Sequence, residues 1–355
     1  MTIFILIAII IAYFYLKKKS NTPKRTLINC GCVLLSLEAG LRHISVGPDT
    51  ATYYYYFKEI ANIPWTSIFS GFKDLSNFRD PAFPLIEKIF YSIIPSWQMF
   101  LVAVAVLYFF SLGKALNRLI SSSEGVLLAF ILYIALFHII ALSGLRQCIV
   151  IALSFLLIPW IVDRKWKYAI PVIIIGSTIH ISFLFVLLLM PFAYLSHRLK
   201  RVCHFVALLL IPIIAIGART IVFYMTSFLA NDYYAGYVNA ERGGNPIMFV
   251  TFCSLISLYE LFNYRYLNNK KGDNLLIPAN ILMTLSVPLI FLDGSMIRIS
   301  QYFTLYMMVS LPMIFDKVRY RRNSYLSCIL FLSYMICSSS MEYHFFWENI
   351  PLYDY

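Results

Sequence analysis

The sequence is 355 residues long, with 60% hydrophobic residues and 13% charged residues, and its mean hydropathy is +0.75. Soluble domains carry roughly 25% charged residues, so this composition excludes an ordinary soluble protein and indicates a membrane protein. The formal net charge of +12 comes from short basic clusters between apolar runs, which is typical of cytoplasmic loops and argues against nucleic-acid binding.

Apolar runs recur along the whole chain, and we predict that about ten of them span the membrane, because each approaches the roughly 20 residues that a crossing helix needs. They are residues 2–16, 26–41, 97–113, 125–142, 146–162, 202–218, 247–263, 275–292, 299–315 and 325–340. The predicted fold is therefore all-α and polytopic, with a single membrane domain over residues 1–355.

Two further apolar stretches do not fit a simple span. Residues 82–94 contain Glu87 and Lys88 and are punctuated by prolines, which favours a helix at the membrane interface. Residues 168–196 are too long for one span and are polar around 176–180. We predict a re-entrant helical hairpin that breaks there and places His180 toward the outer half of the membrane.

The basic residues set the predicted orientation. If Lys17–Lys19 lie in the cytoplasm and the spans alternate, 20 of the 29 lysines and arginines fall inside and 9 fall outside, in agreement with the positive-inside rule. The segments 42–96 and 219–246 then face outward, and we predict that they form the substrate site.

Three arginines are predicted at the outer ends of helices. Arg146 and Arg298 each begin a helix, where a cation opposes the helix dipole, so we predict that they bind an anion together with free N–H groups. Membrane snorkelling of Arg146 and pairing of Arg298 with Asp293 are the alternatives. Arg42 follows the second helix, either paired with Glu38 or directed at a ligand; its planar fork suits phosphate.

Asp49 and His180 are the candidate general bases. Asp49 follows a Gly-Pro turn and either caps a helix over 50–60 or acts on a sugar hydroxyl. His180 lies among small polar residues in an apolar run. It is either a satisfied core histidine or a functional intramembrane group.

The segment 219–246 interleaves aromatic and polar residues, among them Asp232, Tyr233 and Arg242. Aromatic rings stack on sugar rings, and bidentate polar side chains bind sugar hydroxyls, so we predict a sugar-binding loop. A tyrosine belt at the membrane interface is the alternative. The seven cysteines include no CxxC pair, and no carboxylate cluster is evident. We therefore predict neither a disulfide framework nor a metal site.

Several of these residues resemble one family. Arg42 followed by Val46-Gly47-Pro48-Asp49-Thr50, Tyr53 and Phe57 is similar to the VGxDTxxYxxxF signature of the EpsG/Wzy group of bacterial polysaccharide polymerases. Leu145-Arg146-Gln147, Lys167-Tyr168 with His180-Ile181-Ser182, and Arg298-Ile299-Ser300-Gln301-Tyr302-Phe303 resemble its later segments. Pro48 departs from the small polar residue that is usual there.

The resemblance implies an enzyme of the bacterial cytoplasmic (inner) membrane that polymerises undecaprenyl-diphosphate-linked repeat units at the outer face. It implies a glycosyltransferase without metal or cofactor, whose partners are the lipid-linked donor and acceptor, membrane lipid, a chain-length regulator and a flippase. Together with the residues themselves, it gives Asp49, His180, Arg146 and Arg298 as candidate catalytic residues. The candidate substrate-binding residues are Arg42, Tyr53, Gln147 and Tyr302 from the matching segments, and Asp232, Tyr233 and Arg242 from the composition of 219–246. O-antigen, capsule and exopolysaccharide remain open as products. A glycan ligase and, less favoured, a lipid-linked oligosaccharide exporter are the alternatives.

Overall fold

A computed structural model of the chain describes residues 1–20, 22–71, 80–228, 246–292, 296–319, 321–338, 342–348 and 350. Internal contacts divide the chain into two compact units. The first comprises Met1–Leu157, Ile174–Phe183 and Val318–Tyr355, and the second comprises Ile158–Ile173 and Leu184–Lys317.

The regular structure of the described residues is helical. The α-helices are α1 Thr2–Lys19, α2 Pro23–Gly40, α3 Thr50–Glu59, α4 Trp65–Ser70, α5 Ala82–Ile93, α6 Trp97–Leu119, α7 Ser123–Leu136, α8 His138–Ser143, α9 Leu145–Val162, α10 Trp166–Ser177, α11 Leu189–Tyr194, α12 His197–Phe228, α13 Ile247–Phe262, α14 Ile277–Ser286, α15 Ile297–Thr304, α16 Met307–Phe315 and α17 Arg321–Ser338. Short 3₁₀ helices cover Ile181–Leu188, Tyr264–Leu267 and Val287–Phe291, and Gly272–Leu276 is a π-helical turn.

Four helices in the described part of the chain are long and apolar enough to cross a membrane. They are Trp97–Leu119, Leu145–Val162, His197–Ala218 and Gly272–Phe291. The all-α membrane class is thus confirmed, while the number of spans stays a prediction. The predicted span 125–142 is interrupted, because α7 ends at Leu136 and α8 begins at His138.

In the first unit, α2 packs closely along α6, and α7 packs against α1, α2 and α17. A Cβ added to Gly113 of α6 would lie 2.9 Å from Sγ of Cys32 on α2. A larger residue at Gly113 would push these two helices apart, and they flank the segment 42–96.

In the second unit, the segment 272–291 is the most buried of the four long helices and packs against α12, α13 and α15. Its Asn280 donates a hydrogen bond to Glu260 of α13, which also accepts one from Ser310. Glu260 is therefore held by neutral donors inside the helix packing, as a structural role requires.

The predicted break in 168–196 is confirmed. α10 ends at Ser177 and a 3₁₀ helix begins at Ile181, so Thr178–His180 separate the two helices. The re-entrant course of this segment in the membrane stays a prediction.

The helix predicted over 82–94 is α5, Ala82–Ile93. At 1.5 Å per residue its length is roughly 18 Å, too short for a bilayer core of about 30 Å. In an interfacial helix the charged side chains face the surface, but those of α5 do not. Glu87 and Lys88 are buried, whereas Ile89 and Ile93 are exposed. Lys88 points inward because its Nζ donates to the carbonyls of Ile60 (2.8 Å) and Ala61 (3.0 Å), just after α3.

Gly47 fixes the turn before α3, and Gly47→Ala is expected to destabilise the protein strongly. Its φ is +91°, a conformation that costs a non-glycine residue about 1–3 kcal/mol, and an added Cβ would lie 1.8 Å from the Leu142 carbonyl oxygen. Gly144→Ala is the matched control, since φ there is −87° and the nearest atom to an added Cβ is 3.2 Å away. Thermal unfolding of the detergent-purified variants measures the difference, and equal melting temperatures for both variants would contradict it.

Candidate functional site

The segment between α2 and α3 is held against the turn that precedes α9. Thr50 connects the two: its hydroxyl lies 2.7 Å from the Val46 carbonyl oxygen and 3.1 Å from that of Leu142. The Arg42 Nε–H also donates to this hydroxyl at 3.4 Å. The residues predicted around Arg42 and those predicted around Arg146 therefore belong to one locality in the first unit.

Arg42 is a buried cation without a counter-ion among the described residues. It is 1% exposed, its Nη1 donates to the Ala39 carbonyl, and its Nη2 has no hydrogen-bond partner. Burial lowers the pKa of Arg42 to about 10, so the side chain is still charged at neutral pH. An unpaired buried charge is costly, and this one gives the locality a positive potential.

The alternative pairing of Arg42 with Glu38 is wrong. Glu38 Oε2 instead lies 2.7 Å from Nε2 of His138, a residue for which the sequence predicted no role. The reason is that α2 ends at Gly40, so Arg42 lies beyond the helix and the i, i+4 neighbour rule does not apply to it.

A short segment near the C-terminus, residues 342–348, covers the end of α2; we call it the C-terminal strap. It forms a β-bridge between Phe345 and Arg42. The N–H of His43 donates to the His344 carbonyl at 2.8 Å, and the Tyr343 hydroxyl donates to the Glu38 carbonyl at 2.5 Å. The strap thereby contributes to the burial of Arg42.

Asp49 lies at the N-cap position of α3, but its side chain makes no capping hydrogen bond. Its backbone is helical there (φ −103°, ψ −6°), whereas a capping side chain needs an extended N-cap. Asp49 Oδ2 accepts a hydrogen bond from the Ser143 hydroxyl at 3.2 Å. The capping interpretation is therefore wrong, and the carboxylate faces the turn before α9.

The centre of the locality is Asp80, which the sequence analysis did not select. Its Oδ2 lies 3.1 Å from Nη1 of Arg146 and 3.2 Å from Nδ1 of His180. Its Oδ1 accepts the backbone N–H of Ile181 at 3.1 Å. We call Asp80, Arg146 and His180 the Asp80 cluster; it joins the segment before α5, the first turn of α9 and the break after α10.

The environment keeps Asp80 ionised. Burial by itself raises the pKa of this carboxyl, but the hydrogen bonds and charges of His180 and Arg146 outweigh burial and hold its pKa below the usual 3.8. Asp80 also has a positive φ of 55°, which aspartate tolerates better than most residues. The backbone around it is tied down by the Ala82 N–H, which donates to the Thr178 carbonyl at 2.9 Å.

Arg146 lies between this buried carboxylate and more open space. Its side chain is 24% exposed, against 1% for that of Asp80. The guanidinium carbon is 5.0 Å from the ring centre of Phe83 and 5.5 Å from that of Tyr53. Nη1 of the guanidinium is thus held by Asp80, the guanidinium lies within cation–π distance of two aromatic rings, and part of the side chain is exposed.

The remaining predicted residues are distributed as follows. Gln147 is buried at the start of α9. Arg298 and the buried Tyr302 lie on α15, in the second unit. Asp232, Tyr233, Arg242 and Asp293 lie outside the described residues. The convergence of Arg298 with Arg42 and Arg146 stays a prediction, whereas Asp49, Tyr53, Arg146 and His180 share the locality around Asp80.

The family is decided by comparison with known proteins. The model of the EpsG family matches residues 25–355. The chain belongs to the EpsG family. No curated protein and no solved structure matches it. Membership covers nearly the whole chain, including every residue of the Asp80 cluster, and points to a membrane-embedded polysaccharide polymerase that works by glycosyl transfer.

Proposed function

We propose that this EpsG-family protein polymerises oligosaccharide repeat units carried on undecaprenyl diphosphate, at the outer face of the cytoplasmic membrane. The observation that supports this most directly is the Asp80 cluster. The buried Asp80 carboxylate holds both Arg146 and His180. In our proposal, Arg146 binds a phosphate and His180 accepts a proton.

The reaction needs a leaving group whose negative charge is neutralised. In our proposal, Arg146 binds the diphosphate of the donor through the part of its guanidinium that Asp80 does not occupy. The unpaired charge of Arg42 adds to the positive potential of the same locality. Fixed cations of this kind stabilise the charge that develops as the bond to the diphosphate breaks.

The proton of the acceptor hydroxyl needs a base, and His180 is our first choice. Asp80 lies at Nδ1 of the ring, which favours a proton on Nδ1 and leaves Nε2 as the basic nitrogen. As the acceptor oxygen forms its bond to the anomeric carbon, the bond from that carbon to the diphosphate oxygen breaks, and the hydroxyl proton moves to Nε2. Asp49 is the second choice, since its carboxylate faces the same turn.

Two alternatives remain for the same arrangement of residues. A ligase would use the same donor with a different acceptor, and an exporter would move the lipid-linked glycan without breaking it. The pairing of His180 with Asp80 favours glycosyl transfer over export, because transport of a glycan needs no base.

A deletion strain separates these activities. Surface glycan from the strain, with and without the complementing gene, is resolved on a gel. Glycan of single-unit length indicates a polymerase and is the expected result. Full-length but unattached chains would indicate a ligase, and loss of lipid-linked glycan from the outer leaflet would indicate an exporter.

Arg42→Met is expected to remove long glycan chains while leaving the melting temperature equal to or higher than that of the wild type. Methionine fills similar space without a buried unpaired charge, and such replacements are often neutral or stabilising. Chain length is read from the complemented deletion strain and stability from the purified protein. Normal chains together with a large loss of stability would show that Arg42 is only a structural residue.

A further inference from the structure

Glu87 is a buried acid beside the Asp80 cluster that none of the roles above uses. It lies on α5, one helical turn after Phe83, on the face that packs inward. The residue is 2% exposed, and its Oε1 has no hydrogen-bond partner. Within the described residues it forms no ion pair, although a buried carboxylate normally requires one.

Arg146 is the charged group that acts on Glu87. Its guanidinium carbon lies 5.0 Å from the ring centre of Phe83, yet its ion pair is made with Asp80 and not with Glu87. Burial raises the pKa of Glu87 to about 8, against the opposing effect of the Arg146 charge. The two carboxyl groups that feel the Arg146 charge therefore differ in protonation, with Asp80 ionised and Glu87 a neutral acid at pH 7.

We propose that Glu87 is protonated in the resting site and donates its hydroxyl hydrogen bond to a phosphoryl oxygen of the diphosphate held by Arg146. This inference rests on the proposed function, since it requires a lipid diphosphate at Arg146. An ionised carboxylate at this position would repel the diphosphate, whereas the neutral acid supplies one more donor without adding a charge.

The consequence is a binding affinity that depends on pH. Arg146 is the charged group that acts on Glu87. That guanidinium contacts Tyr53 of α3 and pairs with Asp80, which also pairs with His180; Lys88, on the same helix as Glu87, donates to the carbonyls of Ile60 and Ala61 just after α3. All of these are retained in Glu87→Gln, which keeps a neutral hydrogen-bond donor at position 87. The difference between the wild type and this variant therefore isolates the titration of Glu87.

The test measures equilibrium binding of undecaprenyl diphosphate to the full-length protein in nanodiscs between pH 7 and pH 9.5. If only the protonated form binds and the pKa is about 8, the wild-type Kd rises about thirtyfold over this range. The Kd of Glu87→Gln should change less than about threefold and should match that of the wild type at pH 7 within a similar factor. The lipid is the same in both measurements, so its own titration cancels.

A second measurement needs only the wild type, in case the variant does not fold. Binding at pH 8.5 should take up about 0.8 proton per diphosphate, which is seen as a dependence of the calorimetric enthalpy on the buffer. Binding without proton uptake, or an equal alkaline loss of affinity in Glu87→Gln, would overturn the role of Glu87 alone. A wild type that binds no undecaprenyl diphosphate at any pH would overturn the proposed function itself.

Discussion

Arg146→Lys is expected to abolish long glycan chains in a complemented deletion strain while the protein remains in the membrane at its normal level. Lysine keeps the positive charge next to Asp80, so the buried carboxylate is still neutralised. Lysine lacks the planar guanidinium of arginine, however. A single ammonium group that pairs with Asp80 does not also bind a phosphoryl oxygen. Loss of one such fixed donor typically lowers the rate about 10²–10³-fold.

The controls separate catalysis from folding. Arg198→Ala removes an exposed arginine in the basic cluster at the start of α12 and should leave chain length unchanged. The double variant Asp80→Asn with Arg146→Gln removes both charges of the pair and keeps hydrogen-bonding groups. It should fold but make only short chains. Long chains in this double variant, or in Arg146→Lys, would show that Arg146 serves only to neutralise Asp80.

The sequence predicted those features that depend on local composition. Apolar runs predicted most of the long helices, since burial in a membrane imposes a length and an absence of charge. The polar residues around His180 predicted a break in the helical pattern, because they interrupt an otherwise apolar stretch. The break found after Ser177 therefore follows from a signal that the residues themselves carry.

Pairings across the fold were not accessible in the same way. Asp80 meets Arg146 and His180, which lie 66 and 100 residues away, and no periodicity connects positions so distant. Asp80 stands between Arg79 and Pro81, a pattern typical of a turn. The sequence offered one clue, the scarcity of acids: the chain has only 17 acidic residues, and Asp80 lies in the segment predicted to face outward, just before the predicted helix that contains Glu87.

Local rules also failed where their geometric conditions were not met. The i, i+4 rule would pair Glu38 with Arg42, but α2 ends between them. The capping rule would join Asp49 to α3, but the backbone at Asp49 is already helical. In both cases the side chain is drawn to a partner from another segment, His138 for Glu38 and Ser143 for Asp49. Both partners belong to α8, so α8 holds the end of α2 and the start of α3 through these two contacts.

Asp80→Asn is expected to reduce chain lengthening about as severely as Arg146→Lys, although it changes a single atom type. Asparagine tolerates the positive φ at this position, so the backbone should be preserved. Its amide has no charge to stabilise a protonated His180, and its NH₂ group facing Nδ1 would favour the tautomer with the proton on Nε2. The ring nitrogen needed to accept a proton would then already carry one, so turnover should fall while binding of the lipid diphosphate persists.

The stability of the protein provides an independent check on this variant. Because the folded pKa of Asp80 lies below 3.8, its interactions stabilise the folded state fully above pH 3.8, and that stabilisation is lost as the pH falls through the folded pKa. Asp80→Asn should therefore lower the melting temperature near pH 7 and flatten its dependence on pH below about 4. A variant that loses turnover but keeps the wild-type acid dependence of melting would show that Asp80 does not pair with Arg146 and His180. Another residue would then have to orient Arg146 and His180 for the proposed reaction.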